Sequence, residues 1–142
     1  MRYVARLFLL ALAAGSVGCK SPAQPGSQRV IGVIDNGSTG GSPLGAPDTV
    51  AVGVPFVATV MTFGSACDKP DGTDVQTTGS IADVTPYILL PPPGTLCIAL
   101  LVARSREVLL TFAVPGTGVI RLHGRRFGPG DLTVIRTVVV KP

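Results

Sequence analysis

Glu107-Val-Leu-Leu-Thr-Phe-Ala-Val114 runs into Pro115-Gly-Thr-Gly118, then Val119-Ile-Arg-Leu-His123, and beyond Gly128-Pro-Gly-Asp131 into Leu132-Thr-Val-Ile-Arg-Thr-Val-Val-Val140. Short runs rich in Val, Ile, Thr and Phe, closed off by Gly and Pro, are strand signals separated by turn signals. In the middle run Val119, Arg121, His123 and Arg125 share one face, because side chains alternate along a strand. Leu96 to Ala103, closed by Arg104-Ser105-Arg106, reads as another strand of the same kind. No window carries a 3.6-residue apolar period with caps, so helices are not expected.

Upstream the runs are shorter. Arg29 to Ile34 is a first strand candidate, and Asp35 to Pro47 is a flexible connection rich in Gly, Ser and Pro. Asp48 to Val54 and Phe56 to Phe63 are strand candidates broken by Pro55, which cannot donate to a ladder. In the second, Phe56, Ala58 and Val60 oppose Val57, Thr59 and Met61, so no clean inside and outside is visible, as in a strand buried near a core. Gly64 to Thr73 reads as a loop carrying Cys67. Thr73 to Thr78, Ile81 to Val84 and Tyr87 to Leu90 are weaker strands separated by Gly79-Ser80 and Pro86, and Pro91-Pro92-Pro93-Gly94 is a rigid corner. The spacing predicts an all-β chain, a sandwich of about seven to nine strands.

Composition agrees. Gly (18) and Pro (13) are abundant and only 14% of residues are charged, which points to many turns between short strands. Met1 to Cys19 has a positive start (Arg2, Arg6), an apolar run from Leu7 to Ala14, and small residues Gly15, Ser16 and Gly18 before Cys19. That is the pattern of a secretory signal peptide over residues 1–18. The apolar run falls short of the roughly 20 residues that span a bilayer. Loss of Arg2 and Arg6 lowers the formal net charge of +4 by two, so nothing supports nucleic-acid binding. Cys67 and Cys97 are expected to form a disulfide in an oxidising compartment, worth about 3 to 4 kcal/mol on the chain-entropy estimate. A metal pair is the weaker reading, with a single histidine and no Cys-x-x-Cys.

Ser16-Val17-Gly18-Cys19 resembles the bacterial lipobox, in which cleavage precedes a lipidated cysteine. The family prefers Leu where this chain has Ser16, so ordinary cleavage, for example after Ala11-Leu12-Ala13, stays open, with a periplasmic or secreted product. The resemblance implies lipidation of Cys19, a membrane partner through that lipid, and a tether over residues 19–28. Lys20 in place of the Asp that retains lipoprotein in the inner membrane favours the outer membrane.

From Asp48 to Val140 the chain resembles a bacterial immunoglobulin-like domain. The resemblance is carried by Asp-Thr-Val-Ala-Val-Gly-Val-Pro-Phe at 48–56 and by the closing strand 132–140. It implies an immunoglobulin-like β-sandwich over 29–142, with 29–47 as first strand and connection and 48–140 as the main body. There is no Trp, and Thr95 stands where antibody-type domains place a Tyr before the second Cys. The bridge is therefore expected to pin the loop at 64–73 to the strand starting near Leu96, rather than to join the two sheets.

Several residues invite a functional reading. His123 has no Gly-x-Ser-x-Gly or other partner pattern and reads as a solvated strand residue, so no catalytic residue is expected. Asp68, Asp71 and Asp74 lie around Gly72, but calcium wants about six to eight ordered oxygens and the spacing fits a Pro-Asp-Gly turn better. No cofactor or metal is expected. Arg104, Arg106, Arg121, Arg125, Arg126 and Arg136 crowd the last third. Of these Arg121, Arg125 and Arg126, with Tyr87, are the candidate binding residues, unless the charges only protect solvated edges. Tyr87-Ile-Leu-Leu-Pro is the most apolar stretch beside a loop, with Ile88 and Leu90 expected to enter the core. The function so implied is a non-enzymatic binding or structural module whose partner is an envelope protein or glycan. The alternative is a hydrolase inhibitor presenting Pro91 to Thr95 or Pro115 to Gly118.

Overall fold

The computed structural model describes residues 26–35 and 41–142. The expected signal peptide, Cys19 and most of the tether lie outside the described residues, as does 36–40 of the connection. Among the described residues there is no helix. Nine strands follow in order: β1 (Gln28–Ile31), β2 (Leu44–Gly45), β3 (Thr49–Ala51), β4 (Phe56–Gly64), β5 (Lys69–Thr78), β6 (Ile81–Leu90), β7 (Val102–Leu110), β8 (Gly116–Arg125) and β9 (Asp131–Lys141).

The strands form two sheets. The larger runs β1-β6-β8-β9-β3 with β5 also on β6, and the smaller runs β2-β4-β7. β5 pairs along the length of β6, so β8 (against Ile81 to Val84) and β1 (against Tyr87 to Leu90) share the opposite edge. Most pairings are antiparallel, but β6–β8 and β3–β9 are parallel. The chain after β1 stitches the sheets together: Val33 bridges both Phe63 of β4 and Arg125 of β8. Glycine permits that passage. A Cβ at Gly124 would collide with Ile34, and one at Gly32 would sit 2.9 Å from the Thr62 methyl.

The core lies between the sheets. Ala58 and Val60 of β4 and Val108 and Leu110 of β7 meet Ala82, Val84, Ile120, Leu122, Val138 and Val140 of the larger sheet, with Ile34, Leu44 and Phe112 closing the ends. Alternation explains the faces: Ala58 and Val60 are fully buried while Val57 is exposed, so the pattern that looked two-sided in sequence resolves into one inner face. Phe56 and Phe112 stack with centroids 5.6 Å apart. Ile88 is buried as expected, whereas Leu90, at the strand end, is only partly covered.

The all-β, two-sheet architecture with one Cys67–Cys97 disulfide is as expected. Boundaries differ in instructive places. Pro86 does not split β6, because it faces the irregularity at Pro70–Thr73 in β5, where no ladder donor is needed. Its carbonyl accepts from Gly32 N. The expected loop 64–73 therefore shrinks to the turn before Lys69. Asp68 fixes that turn by accepting from both the amide and hydroxyl of Ser65, at 2.7 and 2.8 Å. The Leu96–Ala103 strand is a correction: pairing begins only at Val102, opposite Gly64. The residues before it have no strand partner, so their apolar side chains are not drawn into a sheet face. Likewise pairing along the expected 107–114 strand stops at Leu110, and Asp48–Val54 shortens to Thr49–Ala51.

Candidate functional site

On the larger sheet the inward positions are mostly apolar, Arg136 of β9 being an exception at the rim, and the outward ones are free to carry chemistry. β6 presents Asp83, Thr85 and Tyr87, β8 presents Arg121, His123 and Arg125, and β9 presents Thr133. The parallel register sets Asp83 opposite Arg121, and the antiparallel one sets His123 opposite Thr133. Arg121 donates Nε and Nη2 to the two oxygens of Asp83, each at 2.7 Å. His123 Nε2 lies 2.7 Å from Asp83 Oδ1 and its Nδ1 3.2 Å from Thr133 Oγ1. A neutral ring donating from Nε2 accepts the threonine hydroxyl at Nδ1, and a protonated ring donates at both.

The arrangement has an electrostatic centre. Bidentate hydrogen bonding from Arg121, then the bond from His123, holds the Asp83 carboxyl below its ordinary pKa despite some desolvation. Beside it the Arg29 guanidinium lies 3.5 Å from the centre of the Tyr87 ring, a cation–π contact. Arg29 also donates to Asp71 at 2.6 Å and pairs with Asp74 at 3.7 Å. Between these groups is a recess of about 310 Å³ lined by Asp74, Gln76, Asp83, Thr85, Tyr87 and His123. It offers two carboxyl groups, an amide, two hydroxyls and an imidazole in a half-open recess.

The six arginines do not form one basic face. Arg104 Nη2 donates to Ser65 O at 2.9 Å, and Arg106 Nη1 to Gly72 O and Tyr87 O at 2.6 and 3.1 Å. Arg136 Nη2 donates to Ala46 O and Asp48. These three sit on inward positions of β7 and β9, where their guanidinium groups satisfy carbonyls at the rim of the core. Of the candidate binding residues, Arg121 and Tyr87 belong to the polar face. Arg125 is spent on Ile31 O at 2.7 Å, and Arg126 lies past β8, exposed in the turn. His123 is not merely solvated, since it is a full member of the cluster.

Asp83 is the residue that sequence reading missed. Its outward parity beside Ala82 and Val84 was readable, but its partners come from a register with a separation of 38 residues, which no local pattern specifies. The three aspartates around Gly72 are apportioned to different tasks: Asp68 to its own turn, Asp71 and Asp74 to Arg29. Among the described residues no group of His, Cys, Asp and Glu is arranged to hold a metal. The disulfide joins the turn before β5 to the segment ahead of β7, with Cα atoms 5.8 Å apart.

Comparison with protein-family models, with curated proteins and with solved structures finds no match.

Proposed function

We propose that the chain is an exported lipoprotein, anchored through Cys19 at the outer membrane. Its immunoglobulin-like β-sandwich acts without enzymatic chemistry, binding an envelope glycan on the outer face of the larger sheet. The observation that carries the binding reading is the Asp83–Arg121–His123–Thr133 cluster beside Tyr87 and Gln76. It is a preorganised set of donors and acceptors at a half-open recess on the sheet face. Small-molecule sites enclose their ligands. Polar groups spread over β6, β8 and β9 around a half-open recess suit a longer polar chain laid across several strands. The disulfide fits an oxidising compartment. The parallel β6–β8 pairing departs from the antiparallel sheets of antibody domains, so the likeness to immunoglobulin-like domains rests on the two-sheet packing and the closing strand.

The test is titration of the full-length protein in detergent with glycan strands released from cell wall, beside Gln76→Ala and Tyr87→Ala. Saturable binding weakened by both variants is expected. No binding, or binding indifferent to both, overturns the glycan assignment. One observation favours the inhibitor reading: the segment after Pro93 is exposed and fixed by Cys97, as a segment gripped by a hydrolase cleft would be. Absence of inhibition across a broad protease panel at micromolar protein removes it.

A further inference from the structure

One end of the sandwich gathers features that neither the core nor the polar face uses. The first described residue, Gly26, packs against Pro92, where an added Cβ would lie 3.4 Å from the Pro92 side chain. Ser27 shares a cleft of about 770 Å³ with Lys69, Leu90, Pro91, Pro92 and Thr95. The chain then enters the segment Leu96–Leu101, whose large side chains point into solvent: Leu96 is 99% exposed and Ile98 76%, with Leu100 and Leu101 at least half exposed. The disulfide from Cys97 to Cys67 holds this segment at the sandwich end.

The same end carries the β8–β9 turn. Val102 pairs with Gly64, and Phe63 and Arg125 both bridge to Val33, so the turn after Arg125 lies beside the start of β7. Phe127 in that turn is 44% exposed, its ring centroid 6.1 Å from that of Phe63. Arg126 is exposed next to it, and Lys69 is exposed on the cleft. Acids stand here too: Asp35 accepts from the Phe127 amide at 3.4 Å, Asp71 lines the cleft with Lys69, and Asp131 closes the turn.

Single exposed leucines are ordinary, but a contiguous group of this size marks a contact surface. Where the chain leaves the fold identifies its occupant. Six residues, and so seven Cα-to-Cα steps, separate Cys19 from Gly26, a reach of at most about 25 Å when fully extended. A lipid on Cys19 would therefore keep this end, and not the opposite one, close to the bilayer. With the acids Asp35 and Asp71 set against Arg126 and Lys69, it is the exposed apolar side chains beside a lipid anchor that suit the headgroup boundary of a membrane.

We propose that Leu96–Leu101 and Phe127, flanked by Lys69 and Arg126, form a membrane-seating surface that enters the bilayer interface beside the lipid on Cys19. This rests on the lipoprotein reading. Seating on this end stands the strands away from the membrane and turns the Asp83 face sideways, accessible to a polymer running along the envelope.

The chain contains no Trp, so one introduced Trp is a clean reporter. The full chain, processed in a bacterial host and purified in detergent, is reconstituted in phosphatidylethanolamine–phosphatidylglycerol vesicles with and without brominated acyl chains. It carries Leu100→Trp, Phe127→Trp or, at the far end, Thr78→Trp. Intact mass records the lipid adduct in each sample. The proposal expects blue-shifted emission quenched by more than about twofold at Leu100→Trp and Phe127→Trp, because the rings would lie roughly 5–10 Å into the interface. Thr78→Trp stays unquenched. A lipid-modified protein with all three reporters unquenched overturns the seating surface and leaves the anchor intact. Blue-shifted emission without bromine quenching, in a protein that elutes as an oligomer, assigns the surface to a protein contact and also overturns it. An unmodified protein whose Leu100→Trp is still quenched removes the anchor and keeps the surface. An unmodified protein that ignores vesicles overturns both.

Discussion

Arg106→Met tests how the two sheets are held at their open seam. Arg106 enters from β7, the edge of the smaller sheet, and donates to Gly72 O in the β5 irregularity, to Tyr87 O in β6, and weakly to Thr62 Oγ1 at 3.4 Å. Methionine keeps most of the stem and removes all three hydrogen bonds. Bonds from a charged donor contribute about 1.5–3 kcal/mol each, so the two good ones sum to roughly 3–6 kcal/mol. Against this stands desolvation. Burial, with the neighbouring Arg104 charge, lowers the Arg106 pKa, and its buried Nε has no partner, so removing the charge recovers part of the loss. The carbonyls left behind decide the balance, and the net destabilisation is expected at about 2–3 kcal/mol. Urea unfolding followed by far-UV circular dichroism measures it, with an unchanged m-value showing that the sheets still close. Arg106→Lys, which keeps a charge but not the fork, should fall between. If Arg106→Met lies within about 0.5 kcal/mol of the parent, the size of an ordinary surface change, the guanidinium bridge is not what joins β7 to the larger sheet.

Three further outcomes follow from the same contacts. Gly124→Ala drives a methyl into Ile34 and should cost about 1–3 kcal/mol, with Ile34→Val added to it restoring part; calorimetric melting of the single and double variants checks this. Replacing Cys67 and Cys97 by Ala opens a loop with a sequence separation of 30 and should cost about 3.5–4 kcal/mol on the chain-entropy relation, read by comparing denaturant midpoints with the parent. Asp83→Asn should matter most above the ordinary carboxylate range. The folded-state pKa of Asp83 is depressed, so its stabilisation is fully present above the unfolded value near 3.9 and is lost as pH falls through the folded value. Melts between about pH 6 and pH 2 should show the gap between parent and variant closing in acid, and a gap that widens there would contradict the cluster.

How much was legible follows from the range of each signal. The strands between Glu107 and Val140 declared themselves because β-branched runs act locally, though β7 stops at Leu110 and β8 begins inside the expected turn 115–118, at Gly116, where pairing with Val140 takes up the glycines. Gly79-Ser80 marked the β5–β6 hairpin, with Gly79 at a positive φ of 60° as a two-residue primed turn requires. The unpaired Leu96–Leu101 run was misread because apolar composition favours burial and strand alike and cannot register that no partner strand lies opposite. Pro86 was read as a break because the compensating irregularity sits in another strand. The polar face was half legible. Arg121, His123 and Arg125 share a face by alternation alone, but whether an arginine ends on a carboxylate, a carbonyl or water depends on what the sheets bring beside it. Arg104, Arg106 and Arg136 look the same as Arg121 in sequence and do a different job, and Asp83 acquires its role only through a parallel register across the sheet.

Cys19 and the Cys67–Cys97 bridge together define the anchored module, and intact mass reads both at once. Protein extracted from membranes without reductant should weigh as residues 19–142 plus a lipid adduct, with the thiols of Cys67 and Cys97 alkylated only after reduction. A product without the adduct, or one whose Cys67 or Cys97 alkylates before reduction, contradicts the anchored, disulfide-tied module proposed for this chain.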